Sequence, residues 1–334
     1  VFSSQCRLPL TVVVGLALSA LCFSTLLSLI TGARAIPIHE VWHALSDRSQ
    51  DPVSAILWDR RIPRTLVAML AGMALGLAGA LIQALTRNPL ADTGVLGINS
   101  GAAFAIVVGL ALGATDTPLM LFLLALGGAV LAGGGTYVLS RGKGASADPM
   151  RLVLAGVALS AILGGVGDGL ALTNPRAFDR LHAWMVGNVD VGSYQPVYLV
   201  AAGLLVGVVP ALMAIRGLGA LQLGQETAVA LGTQLAKTRL MAFIAIVILA
   251  ASATAAAGVI VFLGLLVPHV ARWLVGPSFG RLLLVSALLG PLVLLVADIA
   301  GRLLLPGEFP AGVVVSFVGA PFLIIYAQQR RKGI

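Results

Sequence analysis

The chain has 334 residues, of which 59% are apolar and only 10% charged, and its mean hydropathy is +1.02. A composition this apolar excludes a water-solvated globule and requires lipid around nearly the whole chain. The net charge of +8 calls for no nucleic-acid surface, because its distribution along the chain reads as membrane orientation.

Runs near the ~20 residues that cross a hydrocarbon layer recur from end to end. They are continuous rather than alternating, so they predict helices and not barrel strands. The first is Leu10 to Ile30. Ala33-Arg34-Ala35 after it resembles a small-x-small cleavage site, but an apolar run of this length exceeds a signal h-region of about 7 to 15 residues, which favours a retained first helix. Cys6 and Cys22 lie in or beside this helix and predict no structural disulfide.

A polar interruption from Thr31 to Pro63 follows, containing His39-Glu40-Val41-Trp42-His43, which matches the HExxH zinc-protease pattern. The context opposes that chemistry. Only His182 and His269 remain as further imidazoles, and the motif stands outside a span. The simpler reading is a short interfacial helix started by Pro37, with Ile38, Val41, Trp42 and Leu45 on its apolar face.

Further apolar runs are Leu66 to Leu85, Val95 to Leu112, Leu119 to Leu139, Leu152 to Leu172, Val197 to Ile215 and Leu240 to Val261. Three more lie around Leu265 to Gly276, Leu282 to Leu305 and Ala311 to Ala327, giving about ten spans. Gly72, Gly76 and Gly79, with the clusters Gly127-Gly128 and Gly133 to Gly135, suit close helix packing. Gly79 precedes Pro89, and Gly258 precedes Pro268, by the same interval, a faint sign of an inverted repeat. A second polar interruption, Arg216 to Arg239, divides six spans from four. Within it, Glu226 stands in a first helical turn and Gly232 at a C-terminal stop.

An even number of spans puts both termini on one side. With the N-terminus cytoplasmic, the inner segments carry thirteen basic residues against three acidic, and the outer ones eight against nine, as the positive-inside rule requires. No catalytic constellation or metal site is evident, no cofactor is implied, and Gly142-Lys143-Gly144 is not a phosphate loop. Asp298 is the one acid plainly inside a span, with Arg302 one turn later to neutralise it. A proton-coupled carrier ordinarily has more buried carboxylates.

Arg61-Ile-Pro-Arg64, the block Gln83 to Gly101 with Asn88, Pro89 and Gly97, and Trp184-Met-Val-Gly187-Asn188 occur in that order. Ala228-Val-Ala-Leu-Gly232, Gly264-Leu-Leu-Val-Pro268-His269-Val-Ala-Arg272 and Ala297-Asp298 follow. Together they resemble the FecCD-type permeases of vitamin B12 and ferric-siderophore ABC importers, and most of all the catecholate-siderophore (ferric-enterobactin) branch. The resemblance covers nearly the whole chain. It implies an all-α polytopic membrane protein of about ten helices with the type II ABC importer fold, a single permease domain over 1–334. It also implies a transport subunit with no enzymatic activity, in the bacterial inner membrane.

The partners so implied are a second permease (a different chain or a copy), two ATPases and a periplasmic or lipid-anchored binding protein that delivers the chelate. Arg61, Arg64 and Arg302 fall where the family docks that binding protein. The coupling helices that fit the ATPase fall on 218–235, including Leu218, Leu223, Glu226, Ala228, Leu231, Gly232 and Leu235, and the pathway between the fifth and last helices of two subunits. A haem or vitamin B12 permease, or a self-contained secondary transporter, is the alternative.

Overall fold

The computed structural model describes residues 9–32, 35–46, 51–115, 117–140, 149–304 and 308–331; Cys6, Ala33-Arg34 and Gly142-Lys143-Gly144 lie outside them. The chain enters as α1 (Leu10–Ile30), then α2 (Ile38–Ser46), α3 (Pro52–Ile56), a π-helical turn Leu57–Arg61 and α4 (Ile62–Thr86). A 3-10 turn (Thr93–Leu96) leads to α5 (Ile98–Ala111), α6 (Pro118–Ser140), α7 (Pro149–Thr173) and α8 (Pro175–Met185). The second half comprises α9 (Gln195–Leu221), α10 (Gln225–Ala230), α11 (Leu235–Ala257), α12 (Leu263–Val275), α13 (Phe279–Leu304) and α14 (Ala311–Arg331).

Each expected span is one of these helices. Seven are long and apolar enough to cross a bilayer, while α5, α12 and the apolar part of α14 are shorter. The third expected span, α5, shows why. Its predicted start at Val95 falls in the 3-10 turn, which ends at Gly97 in the left-handed conformation, φ 76°, so the helix proper begins only at Ile98.

Three helices, α4, α11 and α13, form the centre. Their most apolar stretches are 78%, 72% and 61% buried, against 17% for α7. Small residues bring the central backbones together: a Cβ at Gly79 would overlap the Gly264 carbonyl, and one at Gly72 would stand 2.5 Å from that of Gly290. In the glycine clusters of α6, only Gly128 and Gly133 press on neighbours, Gly101 and Val247; Gly127 and Gly134 face open space.

The Gly/Pro interval has no shared structural role. Gly79 lies inside α4 and Pro89 in the loop beyond it, whereas Gly258 ends α11 and Pro268 lies inside α12. What the two regions do share is a long helix, an irregular stretch and a short helix. After α4, Arg87, Asn88 and Leu90 are exposed and residues 91–97 are buried or half-buried, with Ala91 3% and Leu96 0% exposed.

In α2, the expected single apolar face is split. Val41 and Ala44 are buried against Ile36 and Leu57, while Ile38, Trp42 and Leu45 point outward. Among the described residues, no group of three or more His, Cys, Asp or Glu is placed to hold a metal.

Candidate functional site

The three arginines expected at the binding-protein contact are buried within this chain. Arg61, Arg64 and Arg302 are 6%, 7% and 7% exposed, because each answers a local electrostatic demand. Asp298, fully buried on α13, receives Arg64 Nε at 3.0 and 3.2 Å and Arg64 Nη2 at 2.8 Å, and it also receives Arg302 from one turn along its own helix. Arg64 Nη1 pairs with Glu308 at 2.7 Å, with Asp190 further off at 3.9 Å.

The same cations close the end of α1. The last carbonyls of a helix have no partner within it. Here Arg302 Nη1 donates to the Ser28 and Thr31 carbonyls at 2.9 and 3.1 Å, and Arg61 Nη1 to those of Leu29 and Ile30, the latter at 2.9 Å. Ser28 Oγ accepts from Arg302 at 3.2 Å and shares a 2.8 Å hydrogen bond with Thr65. One ionic knot thus joins α1, α4, α13 and the segment at Glu308. Of its members, Asp298 with Arg302 is legible from the i, i+4 spacing; Arg64 and Glu308 come from more than two hundred residues apart and carry no local signal.

At the other end of the roughly 40 Å length of α9, the polar interruption is shorter than its composition suggests. Helix α9 runs on through Arg216 to Leu221 and α11 begins at Leu235, leaving 222–234 as the turn. Leu218 therefore belongs to α9, fully buried, and Leu235 is half-buried in α11. The turn is well defined. Gly232 has φ 77°, and its N–H and that of Thr233 donate to Val229 and Ala228, both at 2.9 Å, a left-handed cap that glycine allows without a Cβ clash. Arg239 donates to Gln225 at 3.1 Å, tying α10 to α11.

Ala228, expected at the ATPase contact, is 0% exposed within this chain and seats α10 on its own bundle. The outward residues are Leu223, Val229 and Leu231, 67%, 55% and 65% exposed, beside the exposed Glu226. Large apolar side chains projecting from a polar turn, outside the length of the spans, form a knob suited to a protein groove.

The motif residues serve the backbone. Asn88 accepts the Leu90 N–H at 3.0 Å in the turn that carries Pro89. Pro268 lacks an N–H and so frees the Gly264 carbonyl; Gln83 of α4 points its Nε2 at that carbonyl and at that of Leu265, 3.4 and 3.3 Å away. Gln83 in turn accepts from Arg272 at 3.2 Å. Asp92, wedged against Gly264, has its carboxyl pushed above the ordinary value by burial, against the Thr93 and Gly94 amides that hold it down. The roles of Gln83 and Asp92 escape sequence reading, because they depend on α12 lying beside α4.

A model of the FecCD transport family matches residues 20–329. The chain is 44% identical to the ferric enterobactin transport system permease protein FepD of Escherichia coli K12, over 94% of each chain. It is 35% identical to the iron(3+)-hydroxamate import system permease protein FhuB of Bacillus subtilis, over 97% of this chain and 84% of that protein. In fold it resembles a solved structure described as a metal-chelate type ABC transporter in an inward-facing conformation. The TM-score is 0.83 at 24% identity, covering 96% of this chain and 99% of the other.

Proposed function

The chain belongs to the FecCD transport family, and from that premise we propose that it is the permease subunit of an ATP-driven importer of a ferric siderophore of the catecholate class. It is a multi-pass membrane transport subunit and not an enzyme. The observation that carries the substrate reading is the 44% identity, over 94% of both chains, to a ferric enterobactin permease.

In this reading residues 1–334 form one permease domain, with both termini cytoplasmic, in a bacterial inner membrane. It pairs with a second permease, receives two ATPases on its cytoplasmic side and accepts the chelate from a binding protein outside. The 222–234 turn is the ATPase contact, supported by its exposed Leu223, Val229 and Leu231. Docking of the binding protein at Arg61, Arg64 and Arg302 takes a modified form. A carboxylate of the binding protein replaces Glu308 on Arg64, since Glu308 is the acid of the knot that is a third exposed, and its backbone has φ 50°, a conformation that non-glycine residues hold at a cost.

The test is uptake by the assembled transporter in vesicles. Ferric enterobactin is expected to enter when ATP is supplied and to continue entering when the proton gradient is collapsed. Corrinoid or haem uptake with no response to any ferric catecholate overturns the substrate class, and uptake by this chain without an ATPase overturns the transport mode.

A further inference from the structure

Near the 222–234 turn, the seam between α9 and α11 opens into a groove of about 290 Å3 lined by Met213, Gln234, Lys237, Thr238 and Met241. Its polarity is graded. Gln234 and Lys237 are exposed where α11 begins, Thr238 stands beside them at 8% exposed, and Met241 lies one turn deeper with Met213 of α9. The two helices are in register there, because Thr238 packs on Gly217 with no room for a Cβ between them.

Outside the groove, the surface of α9 continues the same gradient. Val206, Val209, Leu212 and Met213 are 55–59% exposed, and Arg216, also exposed, follows Met213 at i+3 and so shares its face. Among the described residues, neither Arg216 nor Lys237 is in an ion pair. Two free cations and two neutral hydrogen-bonding side chains therefore cap a long apolar track, at the level where two membrane-spanning helices leave the bilayer. A free phosphate ion would use the cations and leave the methionines unused. A neutral lipid would do the reverse.

We propose that this groove binds one anionic phospholipid, its phosphate between Arg216 and Lys237, its head group hydrogen-bonded by Gln234 and Thr238, and an acyl chain along Met213, Met241 and Val209. The lipid bridges α9 and α11 immediately beside the turn assigned to the ATPase. The binding itself rests only on α9 and α11 spanning a bilayer, not on what the transporter carries.

The experiment is native mass spectrometry of the assembled transporter, incubated in detergent with equimolar dioleoylphosphatidylglycerol and dioleoylphosphatidylcholine. Phosphatidylglycerol is expected to be retained over phosphatidylcholine. A basic residue near a membrane surface contributes about 1 kcal/mol, roughly fivefold, so the double variant Arg216→Ala, Lys237→Ala should lose about 30-fold in phosphatidylglycerol affinity. Arg281→Ala, at an exposed cation on α13, should retain the lipid, and excess inorganic phosphate should not displace it. Equal retention of the two lipids, an unchanged double variant, an equal loss in Arg281→Ala or displacement by phosphate would each overturn the site. Because the readout is a lipid adduct, the site and the transport reading can fail independently.

Discussion

Asp298 is the residue on which the junction of α1, α4 and α13 depends. Removing one partner from a buried ionic group costs about 3–5 kcal/mol, whereas replacing the group by apolar side chains of similar volume is often close to neutral. Asp298→Leu is therefore expected to lower the thermal unfolding midpoint in detergent severely, and the double variant Asp298→Leu, Arg64→Met to recover part of the loss. Equal destabilisation in the two would show that Arg64 does not depend on Asp298. Glu308→Gln leaves the buried acid in place and should be mild for stability, yet it should change how strongly the binding protein stimulates the ATPase. Asp92 offers a pH test. Its native value is raised above 3.8 by burial, so between 3.8 and that raised value the folded state holds a proton the unfolded chain has released, and stability falls as pH rises through that window. Asp92→Asn should raise the midpoint at pH 7 and have little effect near pH 4; a gain of equal size at both would refute the assignment. At this scale only near neighbours are legible in sequence. The Asp298–Arg302 pair follows from a spacing of four, while Arg64 and Glu308 reach Asp298 and Arg64 only once the helices are folded together.

Helix α10 separates two roles that composition runs together. Val229→Asp or Leu231→Asp alters a side chain that is more than half exposed, and the expected result is normal insertion and unfolding with loss of ATPase co-purification. Ala228→Asp instead places a carboxylate inside the bundle and should lower the unfolding midpoint itself. Gly232→Val forces a branched side chain into a left-handed turn, costing about 1–2 kcal/mol, and should weaken ATPase retention by loosening the turn. Retention of the ATPase by the Val229 and Leu231 variants would move the contact elsewhere. The stop at Gly232 is legible because a left-handed turn has a residue preference. The ends of α9 and α11 are not, because Arg216 can lie along its helix with its charge in water while Arg239 is buried and paired with Gln225, so neither marks where the helix stops.

At the scale of the whole molecule, the hydropathy of a span does not fix its burial. Helices α4 and α7 have window hydropathies of 2.1 and 1.8, yet 78% of one window and 17% of the other are buried. Lipid and protein interior are both apolar, so the existence of the spans was legible while their depth was not. The positive-inside count gives orientation a direct test. With cytoplasmic termini, a cysteine at Thr117 should react with an impermeant reagent added outside, and one at Ala236 only after permeabilisation. The opposite pattern would invert the topology. The broad exposed faces of α6, α7 and α9 leave room for both lipid and the proposed second permease, and cross-linking through α7 distinguishes the two coverings.

The π-helical turn at Leu57–Arg61 has one more consequence. Such a turn accommodates one residue more than the regular helix would, and each residue of an α-helix is displaced by about 100° around the axis. Deleting a single position within it, such as Asp59, would therefore restore a regular helix and turn Leu57 by about 100° relative to Arg61 and Arg64, so that Leu57 could not stay buried beside Ile36 and Val41 while both guanidiniums held α1 and α13. The alignment of α2 and α3 with α4 is set by a count of residues rather than by their chemistry, so a deletion there should do more damage than most substitutions.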